Sequence, residues 1–97
     1  MQLQLSLAGL ETGPHIEEII DSKLEKHLNK FLNKYDNLVL FVHIQKDHDG
    51  THTVSSHADL PGPGGHIMAT HSDNDLVVAT KRVASQLEKQ ILRFRDK

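Results

Sequence analysis

Two series of basic residues recur along the chain at the spacing of helix turns. One series comprises Arg82, Lys89, Arg93 and Lys97, and the other comprises Lys23, Lys26, Lys30 and Lys34. At about 100° of rotation per residue, each series falls on one flank of a helix. Lysine and arginine contact phosphate oxygens and give affinity for nucleic acid without reading its sequence. The spacing therefore predicts a polyanionic partner, with an ordinary solvated helix surface as the alternative.

The histidines form a second group that could do chemistry. Eight are present, and six of them lie between residues 43 and 71. Zinc or nickel could be bound weakly if His43, His57 and His66 share one face of a sheet, but the chain has no cysteine to add thiolate ligands. His52 lies five residues from His57, and His66 five from His71, so each pair points to opposite strand faces. We expect polar residues that gain charge near pH 6 rather than a metal site, and keep a metal-dependent function as a third hypothesis.

The sequence gives little support for a catalytic site. Asp47, His48 and Asp49 could imitate a base with orienting carboxylates, but this composition with Gly50 is typical of a turn. No serine lies in a Gly-x-Ser-x-Gly context, and no glycine-rich segment ends in the Lys-Ser/Thr of a phosphate loop. Four aromatic residues are too few for a base-stacking sheet. We expect a protein that is not an enzyme and needs no cofactor.

Charge is segregated along a chain whose net charge is −2. Residues 75–97 carry six Lys/Arg against three Asp/Glu, whereas residues 35–74 carry one Lys against five Asp. The length of 97 residues suits one domain, residues 1–97, with a single modest core. No secretory signal or membrane-spanning run is recognisable, so a cytoplasmic location is the expectation.

The elements that must position these residues follow from the periodicity. Alternation predicts strands over residues 2–7, 38–46, 51–59 and 66–71. A three-to-four-residue apolar repeat predicts one helix from residue 14 to about residue 34 and another after residue 75. Residues 61–65, rich in proline and glycine, predict a loop. The order βαβββα predicts an α+β fold, with two helices packed on one face of a four-stranded, mostly antiparallel sheet.

Several local strings resemble the ribosome hibernation-promoting factors. This family includes the ribosome-associated translation inhibitors and was once called the sigma-factor modulation proteins. The resemblance covers nearly the whole chain and rests on the following strings: Met1-Gln2-Leu3, Lys23-Leu24-Glu25-Lys26, Gly64-Gly65-His66-Ile67-Met68-Ala69, then Asp75, Ala79 and Gln86-Leu87-Glu88-Lys89. A chain that ends at residue 97 resembles the short type, which lacks a C-terminal dimerising domain.

The resemblance implies a stress or stationary-phase factor that binds the small ribosomal subunit between head and body. It would inhibit translation by covering the sites of messenger and transfer RNA. Matching the family's motifs makes Lys23, Lys26, Arg82 and Lys89 the expected rRNA contacts. Placement on the helices adds Lys30, Arg93, Arg95 and Lys97. We expect no DNA, membrane or small-molecule partner. The alternative is a diverged protein–protein interaction module of the same fold that does not bind ribosomes.

Overall fold

The computed structural model describes residues 2–9, 14–35 and 37–95 and confirms the predicted α+β fold. The strands are β1 (Gln2–Ala8), β2 (Val39–Lys46), β3 (His52–Asp59) and β4 (His66–Asp73). The helical segments are α1 (Pro14–Ile20), a π-helical turn (Asp21–Glu25), α2 (Lys26–Leu32) and α3 (Leu76–Arg95). We call α1, the π turn and α2 together the first helix. Each predicted strand ends within two residues of the observed boundary.

The sheet has the order β1-β2-β3-β4 and is mostly antiparallel. β1 and β2 run parallel because the first helix connects them, and such pairs need a crossover connection. β2 pairs antiparallel with β3, and β3 with β4. The register places Phe41 opposite His57, and His57 opposite Met68. These three side chains therefore form one row across the sheet.

One face of the sheet packs against both helices and builds the core. Leu40, Ile44 and Val54 are fully buried on this face, as strand alternation predicts. The leucines of β1 are only partly buried, which suits an outer strand. The helices contribute their apolar stripes to the same core, with the following buried residues: Ile20, Leu24, Leu28 and Leu32 from the first helix, and Ala79, Val83, Leu87 and Ile91 from α3.

The first helix differs from the predicted uninterrupted α-helix. It ends at Leu32, and in its middle the Lys26 N–H bonds the Asp21 carbonyl, five residues back. The reason lies in an apolar spacing of four: Ile16, Ile20, Leu24, Leu28 and Leu32. In a pure α-helix, four residues rotate about 400°, which is about 40° more than one full turn. Over the four intervals between these five residues, the excess would spread them over about 160°. The wider π turn reduces that spread, and all five are at most 9% exposed.

The outer edge of β4 is covered at one point by a side chain of α3. The Gln90 carboxamide accepts a hydrogen bond from the Met68 N–H at 2.9 Å and donates one to the Met68 carbonyl at 2.6 Å. Gln90 thereby occupies the place of a neighbouring strand, which protects an edge that could otherwise pair with another chain.

Candidate nucleic-acid interface

The outer surface of the helix layer carries the basic residues of α3. Arg82, Lys89 and Arg93 are all exposed, and helix geometry places them within about 40° of arc. The buried stripe of α3 lies on a different side of the helix, so these residues can change without disturbing the core. They form a basic flank on the side of α3 that is nearer to β4, as the contact between Arg82 and Asp73 shows.

The first helix adds a second set of lysines to this layer. Lys26 and Lys30 are exposed, and Lys23 is partly buried at the border with α3. The Lys30 ammonium lies 5.1 Å from the centre of the Phe31 ring, close enough for a cation–π interaction. These lysines follow the π turn or lie within it, so the wider turn sets their direction relative to α1.

A groove of about 310 Å³ separates the first helix from α3. Ser22, Lys23 and His27 line one side, and Lys81, Ser85 and Glu88 are among the residues of the other. Across the groove, His27 Nε2 lies 3.5 Å from Glu88 Oε1. The two helices therefore lie alongside each other, and one lysine of each borders the same groove.

Lys81 is the basic residue of this surface that the sequence prediction missed. It lies about 100° round the helix from Arg82. It therefore does not share the helical spacing that relates Arg82, Lys89 and Arg93. Its place in the groove depends on how the two helices pack, and helical periodicity carries no information on that packing. Its position directly beside Arg82 in the sequence was the available signal.

Two of the predicted residues are paired with carboxylates. Lys26 Nζ lies 3.6 Å from Asp21 Oδ2, and an Arg82 guanidinium nitrogen lies 3.6 Å from Asp73 Oδ2. The side chains of Lys26 and Arg82 are 72% and 58% exposed, so both pairs are solvent-screened surface contacts. Such pairs contribute about 0–1 kcal/mol, and a phosphate can compete for the cation.

The remaining predicted residues fall in different places. Arg95 is exposed in the last turn of α3, about 140° round the helix from Arg82 and closer to the side of Lys81. Lys97 lies outside the described residues. The structure thus gathers Arg82, Lys89 and Arg93 on one flank and leaves Arg95 on another.

The Asp47–His48–Asp49 sequence forms a turn, as predicted. The Asp47 N–H donates to the Thr51 carbonyl at 2.9 Å, and the Thr51 N–H donates to Asp49 Oδ1 at 3.0 Å. Hydrogen bonds from the backbone and side chain of Thr51 lower the pKa of the Asp49 carboxyl below its ordinary value. Asp49 therefore stabilises its own turn.

The face of the sheet away from the helices holds the predicted histidines. His43, His57 and His66 are all exposed on it. The His57 ring stacks on Phe41 with 4.8 Å between centroids, and His66 Nδ1 lies 2.6 Å from Asp59 Oδ1. Within residues 2–9, 14–35 and 37–95, no group of three or more His, Cys, Asp or Glu residues is arranged to hold a metal ion.

The described part of the chain contains no helix that is long and apolar enough to cross a membrane. Its two surfaces differ in charge. The helix layer presents five Lys/Arg against one Glu on α3, and lysines together with exposed Glu17 and Glu18 on the first helix, whereas the opposite sheet face presents uncharged side chains around one Asp–His pair. The fold and site define a small α+β protein with a cationic surface on α3.

Comparisons with known proteins agree with this class. The family described as "Sigma 54 modulation protein / S30EA ribosomal protein" matches residues 3–97. The chain belongs to this family of ribosome-associated proteins, which confirms the resemblance drawn from the sequence.

Solved structures show the same fold. The Protein Y N-terminal domain of Thermus thermophilus superposes with a TM-score of 0.77 at 27% identity, over 98% of this chain and 100% of that one. A ribosomal subunit interface protein from Coxiella burnetii superposes with a TM-score of 0.78 at 20% identity, over 100% of both chains. A search of curated proteins found no match.

Proposed function

We propose that this chain binds the small ribosomal subunit through the phosphates of its rRNA and inhibits translation by occupying the decoding channel. The binding surface is the outer side of the helix layer. Residues 1–97 act as one ribosome-binding domain in the cytoplasm under stress or in stationary phase. Occupancy alone blocks messenger and transfer RNA, so the mechanism needs no catalytic group.

The observation that carries this proposal is the placement of basic residues on both helices of one layer. Lys23 and Lys81 border a shared groove, and Arg82, Lys89 and Arg93 continue the positive surface across α3. Lysine and arginine contacts to phosphate release counterions and supply affinity that is independent of base sequence. The shape of the two-helix layer would then select the site on the ribosome.

Family membership supplies the second support. The chain belongs to a ribosome-associated family, and a solved structure with the same fold is described as a ribosomal subunit interface protein. The contacting residues proposed here are Lys23, Lys26, Lys30, Lys81, Arg82, Lys89, Arg93 and Arg95, together with Lys97.

A protein–protein interaction module of the same fold is the second candidate. The uncharged sheet face favours it, because interface centres are depleted of charge and enriched in aromatic residues and methionine. Phe41 and Met68 are such residues. In this alternative the ribosome is not the partner.

Co-sedimentation with ribosomal subunits separates the two candidates, and its salt dependence tests the phosphate contacts. Purified protein is co-sedimented with small ribosomal subunits at rising potassium concentration. We expect binding at low salt that weakens steeply between about 50 and 200 mM, as several phosphate contacts require. Binding that persists unchanged at high salt would refute the phosphate contacts. The absence of binding at low salt would refute the ribosomal proposal and favour the protein–protein candidate.

A further inference from the structure

The groove between the first helix and α3 holds a histidine–carboxylate pair in addition to its lysines. His27 Nε2 lies 3.5 Å from Glu88 Oε1, and the two side chains are 35% and 28% exposed. They are better shielded from water than the Lys26–Asp21 contact of the first helix, whose side chains are 72% and 51% exposed. Partial burial reduces screening by salt, so a change of charge on either group affects the groove more than it would on an open surface.

The other polar side chains of the groove suit a phosphate group. Lys23 borders the groove on the first helix and Lys81 on α3, and the hydroxyls of Ser22 and Ser85 belong to the same two sides. Ammonium and hydroxyl groups donate hydrogen bonds to phosphate oxygens. Among the described residues that line the groove, Glu88 is the one carboxylate, and it is the group that repels an anion.

Protonation of His27 changes the charge of this groove. Histidine ordinarily gains its proton between about pH 5 and 8. With His27 neutral, two lysines against one carboxylate leave a net charge of +1, and with His27 protonated the net charge is +2. We propose that the groove binds a phosphate group of RNA and that protonation of His27 strengthens this binding. The identity of the RNA as rRNA rests on the proposed function.

The charged groups around His27 come from the two helices, and no strand residue lines the groove within the described part of the chain. Those on the helix sides that meet there are the following: Lys23, Lys30 and Lys34 from the first helix and the turn after it, and Lys81, Glu88 and Arg95 from α3. Of these cations, Lys23 and Lys81 line the groove itself. Glu88 is the one carboxylate of this set, so its charge is the one that a protonated His27 compensates.

The expected effect is that of one additional cation at the site. One phosphate contact changes the salt slope by about 0.7–0.9, which corresponds to roughly 5- to 8-fold in affinity at about 0.1 M salt. The wild type should therefore bind small ribosomal subunits roughly fivefold more tightly at about pH 6 than at about pH 8. Its salt dependence should also be steeper at the lower pH.

Co-sedimentation of variants at these two pH values tests the role of the pair. His27→Gln cannot take up a proton, so it should bind equally at both pH values, at the level of the wild type at the higher pH. Glu88→Gln removes the repelling anion and should bind more tightly than the wild type at the higher pH. His66→Gln is the matched control, because His66 also contacts a carboxylate, that of Asp59, but on the opposite face of the sheet. It should keep the wild-type pH response, and circular dichroism confirms that the variants are folded.

A second measurement does not depend on the ribosome. Sulfate, a tetrahedral anion whose charge is constant over this pH range, is titrated into the ¹⁵N-labelled chain and followed by NMR. We expect saturable chemical-shift changes at the amides of the groove, among them Lys23 and Lys81. Half-saturation should need less sulfate at the lower pH in the wild type, and the same concentration at both pH values in His27→Gln.

The two measurements distinguish the failure of this inference from the failure of the proposed function. Equal wild-type binding of subunits at both pH values, or a pH response that survives in His27→Gln, would overturn the role of His27. The absence of sulfate-induced shifts in the groove would overturn the site even where subunits bind. Sulfate binding in the groove with the expected pH response, but without any subunit binding, would support the site and refute the ribosomal proposal.

Discussion

Neutralising Arg82 and Lys89 should weaken ribosome binding, and the structure predicts which of the two substitutions has the larger effect. The variants are Arg82→Gln, Lys89→Gln and the double variant, all on exposed positions outside the buried stripe of α3. Each lost phosphate contact lowers the salt slope by about 0.7–0.9, which at 0.1 M salt corresponds to roughly 5- to 8-fold in affinity. The double variant should therefore bind roughly 25- to 60-fold more weakly.

The single variants should not be equal. Arg82 already lies 3.6 Å from the Asp73 carboxylate, so part of its charge is compensated in the unbound protein. Among the described residues, no carboxylate lies within ion-pair distance of Lys89. We therefore expect the larger loss from Lys89→Gln.

The assay is co-sedimentation with small ribosomal subunits from about 50 to 200 mM potassium. Lys46→Gln serves as the control, because Lys46 is exposed at the end of β2 and lies outside the helix layer. Weaker binding with an unchanged salt slope would refute phosphate contact by these residues. A loss of the same size in Lys46→Gln would refute the location of the surface.

Three further predictions concern the fold. Leu24→Ala truncates a fully buried side chain and should lower the free energy of unfolding by about 2–5 kcal/mol in urea titration; a loss below about 1 kcal/mol would contradict its central place in the core. Gln90→Ala should speed hydrogen exchange at the Met68 amide, which loses its acceptor, and unchanged exchange would show that the contact is not maintained in solution. The carboxylate of Asp49, whose pKa is lowered by Thr51, stabilises the fold above about pH 3.8 and loses this effect as the pH falls through its lowered pKa. Asp49→Asn should therefore reduce the melting temperature at pH 7, and the difference from wild type should shrink in acid. A difference that stayed the same in acid would contradict this reasoning.

Much of the fold was predictable because it depends on local periodicity. Alternation located the four strands, and the apolar repeat located both helices. The π turn does not follow from a three-to-four-residue repeat, which an unbroken α-helix also satisfies; its signal is the run of apolar residues spaced by four throughout.

The candidate surface was less predictable because it depends on contacts between elements. Lys81 borders the groove only because α3 packs beside the first helix. Arg82 contacts Asp73, and Gln90 contacts Met68, through the alignment of α3 with β4, which no local pattern specifies. Arg93 and Arg95 are close in sequence, yet two residues correspond to about 200° of rotation.

The π turn in the first helix holds one residue more than a regular α-helical turn. Because its hydrogen bond spans five residues instead of four, the residues after it keep nearly the angular position relative to α1 that they would have after a four-residue α turn. Deleting one residue between 21 and 25 would therefore allow an unbroken α-helix in which Lys26 and Lys30 still lie on the helix-layer surface. A relative that lacks one residue here could present the same charged positions from a regular helix.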